Sequence, residues 1–204
     1  MPIKATAHTP TGHILGIDPG STHTGFGVID TSGQSIKMVS CGAISPKSDL
    51  PMAEKLAYIH RSILDVVNVF RPKAMALEDV FTFKNPRGTI KLAQARAASI
   101  LAASLSGIPV FEYSPTLVKN TITGSGRADK NQVAYMVASI LNLIDNVSAD
   151  ASDALAVALC HAGQESLPVE KGSLFAASRN RAGSWRRLSP KDLEALGYKI
   201  DNNS

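Results

Sequence analysis

The 204-residue sequence has two cysteines, five histidines and no long apolar run. Cys41 and Cys160 stand alone, without the paired spacing of a disulfide framework or a zinc site. The histidines are scattered, which argues against a His/Cys metal cluster. No apolar stretch approaches the roughly 20 residues that a bilayer span requires. The opening residues, MPIKATAHTPTGH, lack the apolar middle and small-residue cleavage site of a signal peptide. The expectation is therefore a reduced, cytoplasmic protein. No internal repeat is visible either.

What is present is an ordinary globular mixture, 44% hydrophobic and 19% charged. The length suits one compact domain with appendages. The net charge of +4 is unevenly placed, with 7 Lys+Arg against 4 Asp+Glu in residues 166–204 and 14 against 13 before them. Within the body, Lys84, Arg87, Lys91 and Arg96 lie between Asp79 and Glu112 with no acid among them. Such a run is a solvated helix face or a contact for a polyanion.

Three apolar stretches open the body, at Ile14–Asp18, Thr24–Asp30 and Ser35–Ile44, with short Gly-containing links that predict consecutive hairpins. Leu56, Ile59, Ile63, Val66, Val67 and Phe70 then recur at helical spacing between Pro51 and Pro72. KAMALED reads as a strand ending in acids, NPRGTIKLAQARAASILAASLSG as an alanine-rich helix, and PVFEY as another strand. Ser114 and Pro115 open a helix through about Ile122. Another helix is expected from Asp129 to about Leu143, and Ser148 or Asp150 caps a last body helix. Strands in hairpins followed by strands alternating with helices predict an α/β fold, a mixed sheet flanked by helices. The periodicity fades beyond Gly163, which reads as a linker. A short helix is expected in SPKDLEALG, with Ser189 as cap and Gly197 as stop.

The acids carry the chemistry. Asp18 closes the first strand, Glu78 closes a later one, and Asp150 and Asp153 share one face at the start of a helix. Acids at the ends of parallel strands gather at the sheet edge where ligand sites form. Each acid alone has a structural explanation as a turn residue or cap. Four converging carboxylates, however, repel one another unless cations neutralise them. Oxygen ligands without Cys or His select Mg2+ or Mn2+. Two such ions, about 3.5–4 Å apart, can activate water and stabilise a leaving oxygen in phosphodiester cleavage.

The segments ILGIDPGSTHTGFGVID, ALEDVF, KLAQARAASILAA, PVFEYSPTLVKNTITGSGRADKNQV and ADASDALAVALCH together resemble RuvC-type Holliday-junction resolvases, the crossover junction endodeoxyribonucleases. The resemblance spans about residues 13–165. It implies a ribonuclease H-like fold, a homodimer, and paired nicking of four-way junction DNA in recombination and repair. It also implies two Mg2+ or Mn2+ ions per active site, products with 5′-phosphate and 3′-hydroxyl ends, and collaboration with a branch-migration motor. Carried over by residue, it makes Asp18, Glu78, Asp150 and Asp153 the metal-binding catalytic set, with Asp18 bridging both ions. Phe81 matches an aromatic at the junction centre, where an apolar ring wedges between unstacked bases, and ordinary packing is its alternative. Lys119 and Lys130 match basic positions near the scissile phosphate, and Arg127 is similarly placed, with solvated surface charge as its alternative. His161, three turns beyond Asp150, is too distant for a shared metal and reads as structural. Ala93, Ala97 and Ser104 permit close helix approach, either within the chain or in the dimer that the resemblance implies.

Two other classes of function fit parts of the pattern. A phosphotransferase of the actin and sugar-kinase type also uses a strand–Asp–x–Gly turn, but it needs two such domains, and no second Asp–x–Gly loop occurs. A non-catalytic junction scaffold would not need four acids that oppose DNA binding. A nuclease of the same fold acting on RNA stands closer. Residues 1–12 extend the start. Residues 166–204 add Trp185, the basic residues Arg179, Arg181, Arg186 and Arg187, and the short helix, an appendage expected to be flexible.

Overall fold

The computed structural model describes residues 12–79, 86–144 and 147–165. Five strands, β1 (His13–Asp18), β2 (Thr24–Asp30), β3 (Lys37–Ile44), β4 (Ala74–Glu78) and β5 (Val110–Tyr113), form one sheet in the order β3-β2-β1-β4-β5. The first three pair antiparallel as the short links require, while β1–β4 and β4–β5 are parallel. Parallel neighbours need a crossover, and α1 (Met52–Phe70) and α2 (Pro86–Leu105) supply them. Three further helices follow, α3 (Pro115–Thr123), α4 (Lys130–Leu141) and α5 (Ala149–Glu165). The α/β mixed sheet flanked by helices expected from the sequence is the fold observed.

Alternation along the central strands divides the core in two. Leu15, Ile17, Met75 and Leu77 pack with Ile59, Ile63 and Ala102 of α1 and α2. Ile14 and Ala76 instead pack with residues of α3, α4 and α5, among them Ile122, Met136 and Leu155. Continuing the same alternation sends Asp18 and Glu78 to the α5 side. The helix α5 lies flat on the middle of the sheet because glycines leave it room. A Cβ on Gly16 would stand 2.0 Å from the Ala154 carbonyl oxygen, and one on Gly25 would stand 2.0 Å from that of Asp150. Every residue of α5 from Ala154 to Ala162 is accordingly buried.

The helix ends follow capping chemistry. In α3 the Ser114 hydroxyl accepts the Leu117 N–H at 3.3 Å, with Pro115 in the first turn. In α4 Asp129 and Gln132 form a capping box. That helix stops at Leu141, two residues before the expected end, because Asn142 takes the left-handed conformation, φ 52°, and closes the last turn. Likewise β3 begins at Lys37 rather than at Ser35, which lies in the preceding turn. Of the two candidate caps for α5, Ser148 does the capping, its hydroxyl accepting the Ala151 N–H at 3.3 Å. Asp150 is thereby spared that duty.

Two expectations about α2 resolve differently. Ala95, Ala98, Ser99, Ala102 and Ala103 make its buried face. Ala93, Ala97 and Ser104 lie on the exposed side with Leu101 and Leu105, whose exposures are 52% and 76%, and are not covered by the described residues. Arg96, part of the acid-free basic run, is paired internally, 3.7 Å from Asp79 and in contact with Glu112. Phe81 and Lys84, the start of the chain and the basic tail, with the short helix expected there, lie outside the described residues.

Candidate active site

Asp18 sits at the tip of the central strand, where the chain must turn away. Thr24, fully buried, closes that turn by donating its hydroxyl to the Gly20 carbonyl at 2.7 Å and accepting the Gly20 N–H at 3.3 Å. Glu78 ends the neighbouring strand, one residue past the Ile17–Leu77 pair. Its own cross-strand partner is Tyr113, whose carbonyl accepts the Asp79 N–H at 2.7 Å and so extends the pairing past the strand end. Asp153 comes from α5, one turn beyond its cap. Rigid elements therefore supply all three acids.

They meet at a cavity of about 520 Å³, lined by Asp18, Glu78 and Asp153 together with Asp79, Lys119 and Lys130, over an apolar floor that includes Val118 and Val157. Asp150, on the first turn of α5, is not among the lining residues, yet its charge bears on both Asp18 and Asp153. Lys130 Nζ stands 3.5 Å from Asp153 Oδ2, while most of its side chain remains in solvent. Arg127 is exposed on the loop before α4, its N–H held by the Ser125 hydroxyl at 3.3 Å, and does not line the cavity.

Burial and mutual repulsion shape the titration of these groups. The Asp18 carboxyl is pushed up to about 7, first by burial and then by the charges of Asp153, Glu78 and Asp150, against the pull of Lys130. Glu78 is raised by burial and by Asp153, with Lys130 and Lys119 opposing. Asp153 is raised mainly by burial, which outweighs the charge and hydrogen bond of Lys130. A cluster that draws protons near neutrality is one that a cation would stabilise. Among the described residues no three such side chains close into a ready-made cage. Instead the acids border the shared cavity. The donor set, all hard oxygen with no thiol or imidazole, fits Mg2+ or Mn2+.

Of the residues expected in the site, the structure brings together Asp18, Glu78, Asp153, Lys119 and Lys130 and sets Asp150 beside them. Sequence reasoning missed the Asp79–Arg96–Glu112 ion pairs at the cavity edge, because Arg96 reads as one of a solvated run until α2 is placed against β5. It also missed the Tyr113–His161 contact, whose only trace in the sequence is an isolated histidine on an apolar helix.

A mixed sheet with acids collected at the tips of its central strands, facing a helix that adds more, is the arrangement of a ribonuclease H-like nuclease. Residues 14–161 match the family model "Crossover junction endodeoxyribonuclease RuvC". A protein of that name from Xanthobacter autotrophicus is 47% identical over 149 residues, covering 73% of this chain and 88% of that one. One from Trichlorobacter lovleyi is 42% identical over 177 residues, covering 87% and 99%. Among solved structures, Thermus thermophilus RuvC in complex with a Holliday junction substrate superposes with a TM-score of 0.70 at 36% identity, covering 74% of this chain and 92% of that one. The chain belongs to the crossover junction endodeoxyribonuclease RuvC family, a family of nucleases.

Proposed function

We propose that this chain resolves four-way DNA junctions, in recombination and repair, by paired symmetric nicks made at carboxylate sites loaded with divalent ions. The observation that carries the reading is the gathering of Asp18, Glu78 and Asp153 from three separate elements at one cavity, with Asp18 raised to about 7 first by burial and then by the neighbouring acids. Asp18, central among them, with Glu78, Asp150 and Asp153, would hold the Mg2+ or Mn2+ ions. When bound, the ions supply an activated water and stabilise the leaving oxygen. The chain's own part is to hold these oxygens together for the ions and to receive the phosphate. Lys119 and Lys130, at the cavity edge, are placed to meet phosphate oxygens and give an affinity that falls with salt. Hydrolysis would leave a 5′-phosphate and a 3′-hydroxyl.

The exposed stripe of α2, small at Ala93, Ala97 and Ser104 and apolar at Leu101 and Leu105, supports a homodimer, and a two-fold junction is best served by a two-fold enzyme. Phe81 at the junction centre, Arg127 on the DNA backbone and a branch-migration motor as partner belong to the same reading. No described helix is long and apolar enough to cross a membrane, and a cytoplasmic place of action accords with a DNA substrate. The test compares four-way junction, linear duplex and RNA–DNA hybrid, each with Mg2+ and with chelator. Metal-dependent cleavage confined to the junction is expected. Equal cleavage of the hybrid, or cleavage in chelator, would overturn the reading.

A further inference from the structure

A chain of polar contacts centred on buried His161 joins α5, which carries Asp153, to β5, the strand paired with the Glu78 strand β4. Tyr113 Oη is 2.6 Å from His161 Nδ1. The His161 ring, 2% exposed, lies against Phe111 with centroids 4.4 Å apart. On its other side Nε2 is 3.5 Å from Glu165 Oε1, and Glu165 in turn bonds Lys73 at 2.7 Å. Burial holds the imidazole below its ordinary range and pushes the Tyr113 phenol up to about 12, so both are neutral in the working range. With a carboxylate facing Nε2, the hydrogen belongs there, and Nδ1 is left to accept the Tyr113 hydroxyl. The Glu165 contact is too long for a strong hydrogen bond, which leaves the Tyr113 bond as the firm one.

Its location gives it a purpose. Tyr113 is the cross-strand partner of Glu78, and its carbonyl holds Asp79. His161 lies eight residues beyond Asp153 on the same helix, about 12 Å along its axis. Between α5 and the sheet the closest contacts run over glycines, Gly16 and Gly25. The rest of that interface is apolar packing of residues such as Leu155 and Leu159, which is close but non-directional. The short Tyr113–His161 bond adds a directional restraint at the far end of α5.

We propose that the Tyr113–His161 hydrogen bond is a positioning device, setting the separation of Glu78 from Asp153 and hence how tightly the acids close on divalent ions, without touching substrate. This rests on the nuclease reading above. The test uses the full chain as wild type, Tyr113→Phe, His161→Gln and His161→Asn. Three quantities are measured: Mn2+ binding without DNA by calorimetry, the Mn2+ dependence of junction cleavage, and junction affinity in chelator. Tyr113→Phe and His161→Gln should weaken Mn2+ binding and raise the half-saturating concentration by about tenfold. Maximal rate and chelator-state affinity should stay near wild type. In His161→Asn the amide stands where Nδ1 stood, keeps the Tyr113 bond and restores near-wild-type ion binding. Unchanged Mn2+ affinity in Tyr113→Phe overturns the proposal, as does a His161→Asn protein as impaired as His161→Gln. A wild type that neither binds Mn2+ nor cleaves junctions would instead bring down the nuclease reading itself.

Discussion

Asp18 holds its proton to about pH 7 in the folded, metal-free chain, whereas unfolding returns it to an ordinary aspartate that ionises near 3.8. Between those values the native state binds more protons than the unfolded one, so this residue lowers stability as pH rises through the window and has no further effect above it. At pH 8 in chelator, Asp18→Asn should therefore be more stable than wild type, by about 1–3 kcal/mol, and the gap should close toward pH 4. Thermal melts across that range check both the sign and the window. The same substitution should abolish cleavage while leaving junction binding in chelator intact, and Mg2+ should raise the Tm of wild type but not of the variant. Protons and ions compete for the same oxygens, so the Mg2+ concentration for half-maximal cleavage should fall as pH approaches about 7 and level off beyond it. The sequence made the acids legible, because each strand or helix ends where its acid stands. It could not reveal the displaced titration of Asp18, which depends first on burial and then on Asp153, a residue 135 positions further along the chain.

The helix α5 is where local pattern and tertiary need meet. Gly16→Ala should cost several kcal/mol, since the new Cβ would collide with backbone rather than with a side chain that can swing away. Cleavage should be lost beyond what instability explains, because α5 carries Asp150 and Asp153. Comparing melts with activity measured well below the melting range separates the two effects. Ser148→Ala should be milder, about 1 kcal/mol, the ordinary loss of a cap. Element types were readable from periodicity, which reports local burial directly. Ends were less so, since the stop of α4 depends on Asn142 adopting a left-handed backbone that many residues could in principle refuse. The side of α2 that faces its own sheet was not readable at all. Alanines occur all round it, and only the placement of α1 and the sheet decides which set is covered.

At the level of the molecule, charge and symmetry make separable predictions. Lys119→Ala and Lys130→Ala should each lower the slope of log affinity against log salt by about 1, independent of junction sequence. Leu101→Glu, on the uncovered stripe of α2, should give a monomer by sedimentation that nicks one strand without coordinating the opposite cut. A dimer that survives this change would place the two-fold contact elsewhere. No motif in one chain records a contact with a second copy, since small and apolar residues serve internal and external packing alike.

The placement of α5 on the central strands also has a consequence for biosynthesis. Asp18 and Glu78 leave the ribosome early, but the helix that carries Asp150 and Asp153, and that roofs the middle of the sheet, is the last described element to emerge. Until then the growing polypeptide has half its acids and an uncovered apolar face. On the proposed reading, a message broken before residue 149 would yield a fragment that lacks Asp150 and Asp153 and so cannot nick DNA.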